Sequence, residues 1–263
     1  MRFGLFVGSG FGGGVAGGAL RGWVLRVSDG GWGCLVRPSE LASPCPVRRD
    51  VWLLRNGFRL GGEVVGRGCG YHREVLGVFR AVVGGGWGGV REVVEGGLIR
   101  SHAGAWALGA CVAWLNNGCV PPISVEPTLP PVLGFTPSKP DLVVGSSPVE
   151  LAYSPWGVRG RYVRRKEVEV AAYALILEAV TGAPVDTGWL VVITDEGVEV
   201  REVRVDEGLR EEALRAREEV EGVVTSRMPP QPPASCPQSC PFRSECLGGD
   251  ARGVEAGIEV TAG

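Results

Sequence analysis

The residues of this chain best suited to chemistry lie between Pro140 and Tyr173. Two short β-type runs, Leu142 to Val144 and Val149 to Tyr153, each present a carboxylate: Asp141 just before the first and Glu150 inside the second. The turn rich in Gly and Ser between them makes an antiparallel hairpin the economical reading, and a hairpin brings the two carboxylates together. Two neighbouring carboxylates repel unless a cation sits between them, so the pair points to a hard-metal site. A helix expected from about Arg164 to Thr181 places Lys166, Glu169 and Tyr173, at i, i+3 and i+7, on one face that can look at the metal.

Cysteine supplies a second constellation. Cys45 stands between Pro44 and Pro46, which hold it in a tight non-helical bend after a short helix and ahead of a second helix that begins with Arg48-Arg49. Far along the chain, after a helix from about Glu207 to Val224 and the linker PPQPPAS, come Cys236, Cys240 and Cys246, punctuated by prolines and without hydrophobic periodicity. Together these make four thiolates, enough for an iron-sulfur cluster or a tetrahedral zinc. Zinc ligands usually come as two compact pairs, so the one-plus-three arrangement favours iron-sulfur, with zinc as the alternative. Cys111 and Cys119 fall in an apolar stretch that reads as a buried helix, where cysteine acts as a small hydrophobe, and Cys34 and Cys69 have no assigned role. Of the two histidines, His72 sits on an expected helix after a turn. His102 follows the glycine-rich segment Gly84 to Gly97 and reads as structural.

These residues need a scaffold, and 263 residues with 44% hydrophobic content can bury a substantial core. One large domain with appendages is expected: a glycine-rich leader over 1–19, an N-terminal cluster-cysteine and helical region over 20–135, a core over 136–205, a C-terminal helix with cysteines over 206–246, and a weakly ordered tail over 247–263. The net charge of -2 excludes a uniformly basic nucleic-acid coat. Local basic patches remain, at Arg48-Arg49 and from Arg159 to Lys166 with Arg161, Arg164 and Arg165 between. Aromatic residues near that run, Tyr153, Trp156 and Tyr162, are suited to stacking on bases. Lysine occurs only at Lys139 and Lys166, and Asn and Gln are scarce, which fits a heat-adapted source or GC-rich codon usage. No stretch reads as a membrane span, and the glycine-broken N-terminus lacks a cleavage pattern, so a cytoplasmic protein is expected, where clustered cysteines bind metal more often than they pair. The G-x-G-x-x-G at Gly8 to Gly13 is followed by too much glycine for the firm helix that a dinucleotide site requires.

The order of these features resembles a known family. Pro140-Asp141, eight residues, then Glu150-Leu151-Ala152 is similar to the PD-(D/E)XK nuclease signature with alanine in place of lysine, and Glu169-x-x-x-Tyr173 is similar to the Q-x-x-x-Y helix motif of RecB-type nucleases with Glu in place of Gln. Cys45, His72, Asp141, Glu150, Tyr173 and the three late cysteines together resemble the CRISPR-associated exonucleases of the Cas-four family, in particular its archaeal Csa-one branch. The phrases LRGW, SELASPCPVRRDVWL, PVDTGWLVVI, LREEALRAREE and CPQSCPFRSEC carry the likeness from Leu20 to Cys246.

That resemblance implies an α/β fold: a RecB-like core, with a small mixed sheet flanked by helices, a helical cap and a four-cysteine cluster, 4Fe-4S in this branch. It implies metal-dependent cleavage of DNA, chiefly at single-stranded ends, during CRISPR spacer acquisition, with the CRISPR integrase and its small companion subunit as partners and no membrane. Carried over by residue, His72, Asp141, Glu150 and the Leu151 carbonyl hold Mg2+ or Mn2+; Cys45, Cys236, Cys240 and Cys246 hold the cluster; Tyr173 belongs to the catalytic set. Arg48, Arg49, Arg159, Arg161, Arg164 and Arg165 are expected to grip the strand by its phosphates. Alanine at 152 leaves the family's lysine role open, and Lys166 on the neighbouring helix is expected to take it. The competing expectation is a degenerate nuclease that keeps fold, cluster and DNA groove and serves as a non-cutting subunit of the acquisition complex. An unrelated cluster-bearing redox protein is the third class, and the separate His and carboxylate set argues against it.

Overall fold

The computed structural model describes residues 35–43, 45–58, 63–117, 122–155, 157, 160–234, 242, 243 and 246. The chain divides into two units, Met1–Gly31 and Trp32–Gly263, and every described residue belongs to the second. The helices are α1 (Pro38–Leu41), α2 (Arg49–Arg55), α3 (Glu63–Gly85), α4 (Trp87–Glu95), α5 (His102–Asn116), α6 (Arg161–Thr181) and α7 (Glu207–Val224). The strands are β1 (Ile123–Val125), β2 (Leu142–Val144), β3 (Ser147–Tyr153), β4 (Thr187–Ile193) and β5 (Val198–Arg204). Among these residues no helix is long and apolar enough to cross a membrane.

The strands form one sheet in chain order, β1 to β5. All neighbours are antiparallel except β3 and β4, which run parallel because α6 crosses between them. This is an α/β fold with a mixed five-stranded sheet flanked by helices, as expected. The hairpin of β2 and β3 sets Leu142 opposite Val149, which leaves Asp141 and Glu150 as neighbours just beyond that pair.

Alternation along β3 and β4 divides the side chains between two cores, which is why both strands are apolar on each face. On one side Ala152, Leu190 and Val192 pack with Val168, Ala171, Ala172 and Ile176 of α6 and with Leu209, Ala213 and Val220 of α7. On the other, Val149, Leu151, Val191 and Ile193 pack with Val75, Val78, Phe79 and Val82 of α3 and with Ala107 and Cys111 of α5. Glu150 lies on the α6 side, in step with Ala152.

Helix α6 begins at Arg161, earlier than expected, and ends where Gly182 takes a left-handed conformation (φ 71°) and donates to the Glu178 carbonyl. Its paired alanines, Ala171 and Ala172, are fully buried against the sheet. The approach is close enough at Gly188 of β4 that a methyl group there would run into Val170 Cγ1 and stand 3.2 Å from the Pro148 carbonyl oxygen. Two glycine-rich stretches, one read as a turn leading into the His72 helix and one given no conformation, are helical. Helix α3 already starts at Glu63, and the segment Gly84 to Gly97 contains α4. Gly89 is what allows the latter, since a side chain there would collide with the α3 backbone at Ala81.

Because Gly188 sets how near α6 lies to the sheet, Gly188→Ala is expected to destabilise the protein by about 1–3 kcal/mol through overpacking. A thermal or urea melt checks this, and an unchanged midpoint would mean that α6 yields without cost.

Candidate active site

Both helical layers reach the end of the sheet where the hairpin carboxylates stand. Asp141, immediately before β2, and Glu150 of β3 are 7% and 3% exposed. Their backbones lock them reciprocally: the Asp141 N–H donates to Glu150 Oε1 at 3.3 Å, and the Leu151 N–H donates to Asp141 Oδ2 at 2.7 Å. From α3, His72 brings Nε2 to 2.5 Å from Asp141 Oδ1. From α6, Lys166 places Nζ 2.6 Å from Glu169 Oε2 and 3.5 Å from Glu150 Oε2. The Lys166–Glu169 contact is an ion pair without hydrogen-bond geometry, so Glu169 Oε2 is buried with its hydrogen-bonding capacity unused among the described residues. One turn further on, the Tyr173 hydroxyl donates to the Lys139 carbonyl at 3.1 Å and pins the segment that leads into Asp141. These side chains line one cavity of about 370 Å3.

The charges of this cluster are mutually dependent. Burial, then the Asp141 and Glu169 carboxylates, push the Glu150 carboxyl well above its ordinary range, with Lys166 pulling the other way. Burial works against a charged Lys166, yet Glu169 and Glu150 hold its ammonium well above the ordinary lysine value. Burial and the same carboxylates keep the Tyr173 phenol protonated.

His72, Asp141, Glu150, Lys166 and Tyr173 are thus brought together, and Glu169 joins them. Ala152 is 1% exposed beneath α6. The cavity's other lining, from Arg37, Ser39, Thr136 and Ser138, was missed in the sequence. Its only signal there was adjacency: Ser138 precedes Pro140-Asp141, and Arg37 precedes the short helix before Cys45.

As the ligands of one ion, His72, Asp141 and Glu150 are not spread around a common point. Among the described residues no group of three His, Cys, Asp or Glu side chains is so arranged, and His72 and Asp141 close directly on each other. The donor chemistry nevertheless suits a hard divalent cation: three buried carboxylates face one lysine, beside an imidazole nitrogen.

Of the proposed cluster ligands, Cys45 is buried and Cys246 partly buried, while Cys236 and Cys240 lie outside the described residues. The Cys45 carbonyl accepts from Arg165 Nη1 at 3.2 Å and from the Arg48 N–H at 3.2 Å. Burial, then Arg48 and Arg161, lower the Arg165 guanidinium, with Asp50 and Cys45 acting in the opposite direction. At Cys111 burial pushes the thiol up to about 12, which keeps it protonated. Cys69 is exposed, and Cys34 and Cys119 lie outside the described residues.

Four of the six arginines expected to grip phosphates are engaged within the fold. Arg48 is 7% exposed in a left-handed conformation (φ 56°), with Nη1 donating to the Leu41 carbonyl at 2.7 Å, so it braces α1 and offers nothing to a strand. Arg49 Nη1 donates to the Pro230 carbonyl at 2.5 Å and ties down the C-terminal linker. Arg164 is paired with Glu167 and Glu212, and Arg165 is turned toward Cys45. Arg161 is exposed, whereas Arg159 and Trp156 lie outside the described residues. Tyr153 is likewise engaged: its hydroxyl donates to Asp195 at 2.6 Å, and its ring lies against Tyr71. His102 has the expected structural part, contacting the Thr194 carbonyl at 2.8 Å through Nε2.

Residues 120–249 match a family model described as CRISPR-associated exonuclease Csa1. A relative in Thermoproteus tenax, named CRISPR-associated exonuclease Csa1, is 39% identical over 83 residues, a match that covers 30% of this chain and 30% of that protein. A solved chain described as "Crystal structure of SSO0001" is 16% identical, with 65% of this chain and 82% of that one aligned at a TM-score of 0.28, a likeness too loose to bear on the fold. Asp141, Glu150, Lys166 and Tyr173 all lie inside the stretch that matches the Csa1 family model, and the match to the curated relative spans about a third of that protein's length.

Proposed function

We propose that this protein is a metal-dependent DNA exonuclease with a RecB-like core and an iron-sulfur cluster, acting on single-stranded DNA ends in CRISPR spacer acquisition alongside the integrase complex. The observation that carries the reading is the charge of the buried cluster: Asp141, Glu150 and Glu169 against Lys166 alone, beside His72. Such an excess of buried negative charge is costly unless a further cation joins it. His72, Asp141, Glu150 and the Leu151 carbonyl are the groups that would hold Mg2+ or Mn2+, which when bound acidifies a water and neutralises charge on phosphate.

The chain's own residues supply the rest. Lys166, held on the α6 face by Glu169, takes the part of the lysine missing at 152: it orients the attacking water and offsets charge developing on the phosphate. Tyr173, protonated and bonded to the Lys139 carbonyl, fixes the Asp141 segment and with it the hairpin carboxylates. Cys45, Cys236, Cys240 and Cys246 would hold a 4Fe-4S cluster and join the early and late parts of the chain.

A non-cutting DNA-binding subunit is the second reading. Alanine at 152, buried under α6, is the observation that favours it.

Digestion of an end-labelled single strand with Mn2+ decides between the two. The wild type is expected to release nucleotides and Asp141→Ala none, with Lys166→Ala slowed by about a hundredfold or more. If no preparation cuts while DNA binding persists, the second reading replaces the first; full activity in Lys166→Ala would remove that lysine from the mechanism.

The metal reading also predicts a pH-dependent stabilisation. Because the Glu150 pKa is raised in the fold, its carboxyl favours folding below the ordinary value of 4.5 and loses that advantage as the pH climbs through the raised value. Mn2+ is therefore expected to raise the melting temperature clearly at pH 7.5, less at pH 5, and not at all in Asp141→Ala. An equal shift in all three samples would indicate binding elsewhere.

For the cluster, Cys45→Ser is expected to lose most of the iron and the brown absorbance of anaerobically purified protein. Retention of both would assign the cluster to other ligands.

A further inference from the structure

Besides its carboxylates, the cavity is lined by Arg37, Ser39, Thr136, Ser138 and Lys139, drawn from two segments distant in sequence. Backbone pairing joins them: the Val36 N–H donates to the Gly134 carbonyl at 3.1 Å, and the Thr136 N–H donates to the Val36 carbonyl at 2.9 Å. Ser138 is held on its other side by Leu129, through a 2.8 Å bond into its carbonyl and a 3.2 Å bond from its N–H. It is therefore a fixed residue, 8% exposed. Its hydroxyl has no hydrogen-bond partner among the described residues.

A buried hydroxyl left unbonded costs free energy, and in a rigid wall it persists where a ligand completes it. Thr136 shows the contrast, because its hydroxyl is already donated to the Pro137 carbonyl at 3.0 Å. The exposed side chains of Arg37 and Lys139 line the same cavity, and neither belongs to an ion pair among the described residues. A cavity with three carboxylates repels an anion unless its walls also carry donors and positive charge, and these residues supply both.

We propose that Ser138, Arg37 and Lys139 form a phosphate-binding subsite that holds a phosphodiester of the strand beside the carboxylate cluster. This rests on the nuclease reading and goes beyond it by giving one cavity two parts: carboxylates for a cation, and a hydroxyl with a guanidinium and an ammonium for the substrate's phosphate. Ser138 Oγ donates to a non-bridging oxygen, and Arg37 contributes charge and a planar pair of donors. The contact reads no base, so it serves any sequence.

A structural hydroxyl and a substrate-binding one respond oppositely to removal. Ser138→Ala deletes an unbonded polar group, so its melting temperature is expected to equal or exceed that of the wild type, while the Kd for a fluorescent single strand, measured in EDTA, rises about tenfold. Arg37→Ala is expected to weaken binding similarly, and Arg37→Lys to restore part of it. A Ser138→Ala protein that melts lower and binds as well as the wild type would overturn the proposal, as would unchanged binding in Arg37→Ala. Cleavage with Mn2+, run in parallel, separates the two claims. A wild type that binds but does not cut, with both variants binding more weakly, upholds the subsite and sinks the nuclease reading. A wild type that cuts, with variants indistinguishable from it, sinks the subsite alone. No binding and no cutting by the wild type sinks both.

Discussion

A lysine ammonium buried among carboxylates constrains everything around it. Lys166 can remain charged at its depth only because Glu169 and Glu150 stand within a few ångströms, and those carboxylates can be buried only because it is there. The helix that carries it has therefore to be fixed against the strand that carries Glu150. Small residues achieve this: Ala171 and Ala172 are fully buried against the sheet, and Gly188 lies directly under Val170. At the far end of α6, Glu178 receives Arg210 of α7 and the Val185 N–H, which anchors the helix to both its neighbours.

The same constraint explains how the lysine of the strand motif can be absent. Glu150 and Ala152 share the α6 side of β3, so a lysine at 152 would point into the layer that α6 already fills. Lys166 enters that layer from the helix and arrives at Glu150 from above. Alanine at 152 and lysine at 166 are in this sense a single arrangement, with the close packing of α6 as its consequence.

Much of this was legible because it depends on local periodicity. The hairpin, the shared face of Lys166, Glu169 and Tyr173, and α7 from Glu207 to Val224 follow from alternation, turn residues and helical spacing. The glycine-rich helices were not legible, since propensity alone disfavours them. Gly89 is required by a crossing against α3 that exists only in three dimensions. Ser138 gave no signal beyond its nearness to Pro140-Asp141, because an unsatisfied hydroxyl is a property of its surroundings and a serine next to a proline looks like any loop.

The arginines teach the sharper lesson about charge. A run of basic residues reads as a nucleic-acid grip, but a guanidinium also satisfies backbone carbonyls that a tight bend leaves without donors. Arg48 serves the end of α1, Arg165 the Cys45 carbonyl, and Arg49 the Pro230 carbonyl of the linker. These three knit the segment around Cys45 to α6 and to the chain leading toward the late cysteines. Their charge is consumed in architecture. Among the described residues, the cations that line the cavity beside the carboxylates are Arg37, Lys139 and Lys166. Under the proposed nuclease reading they would grip a strand over a short length only, which suits an enzyme working from a strand's end, where few nucleotides are available to hold.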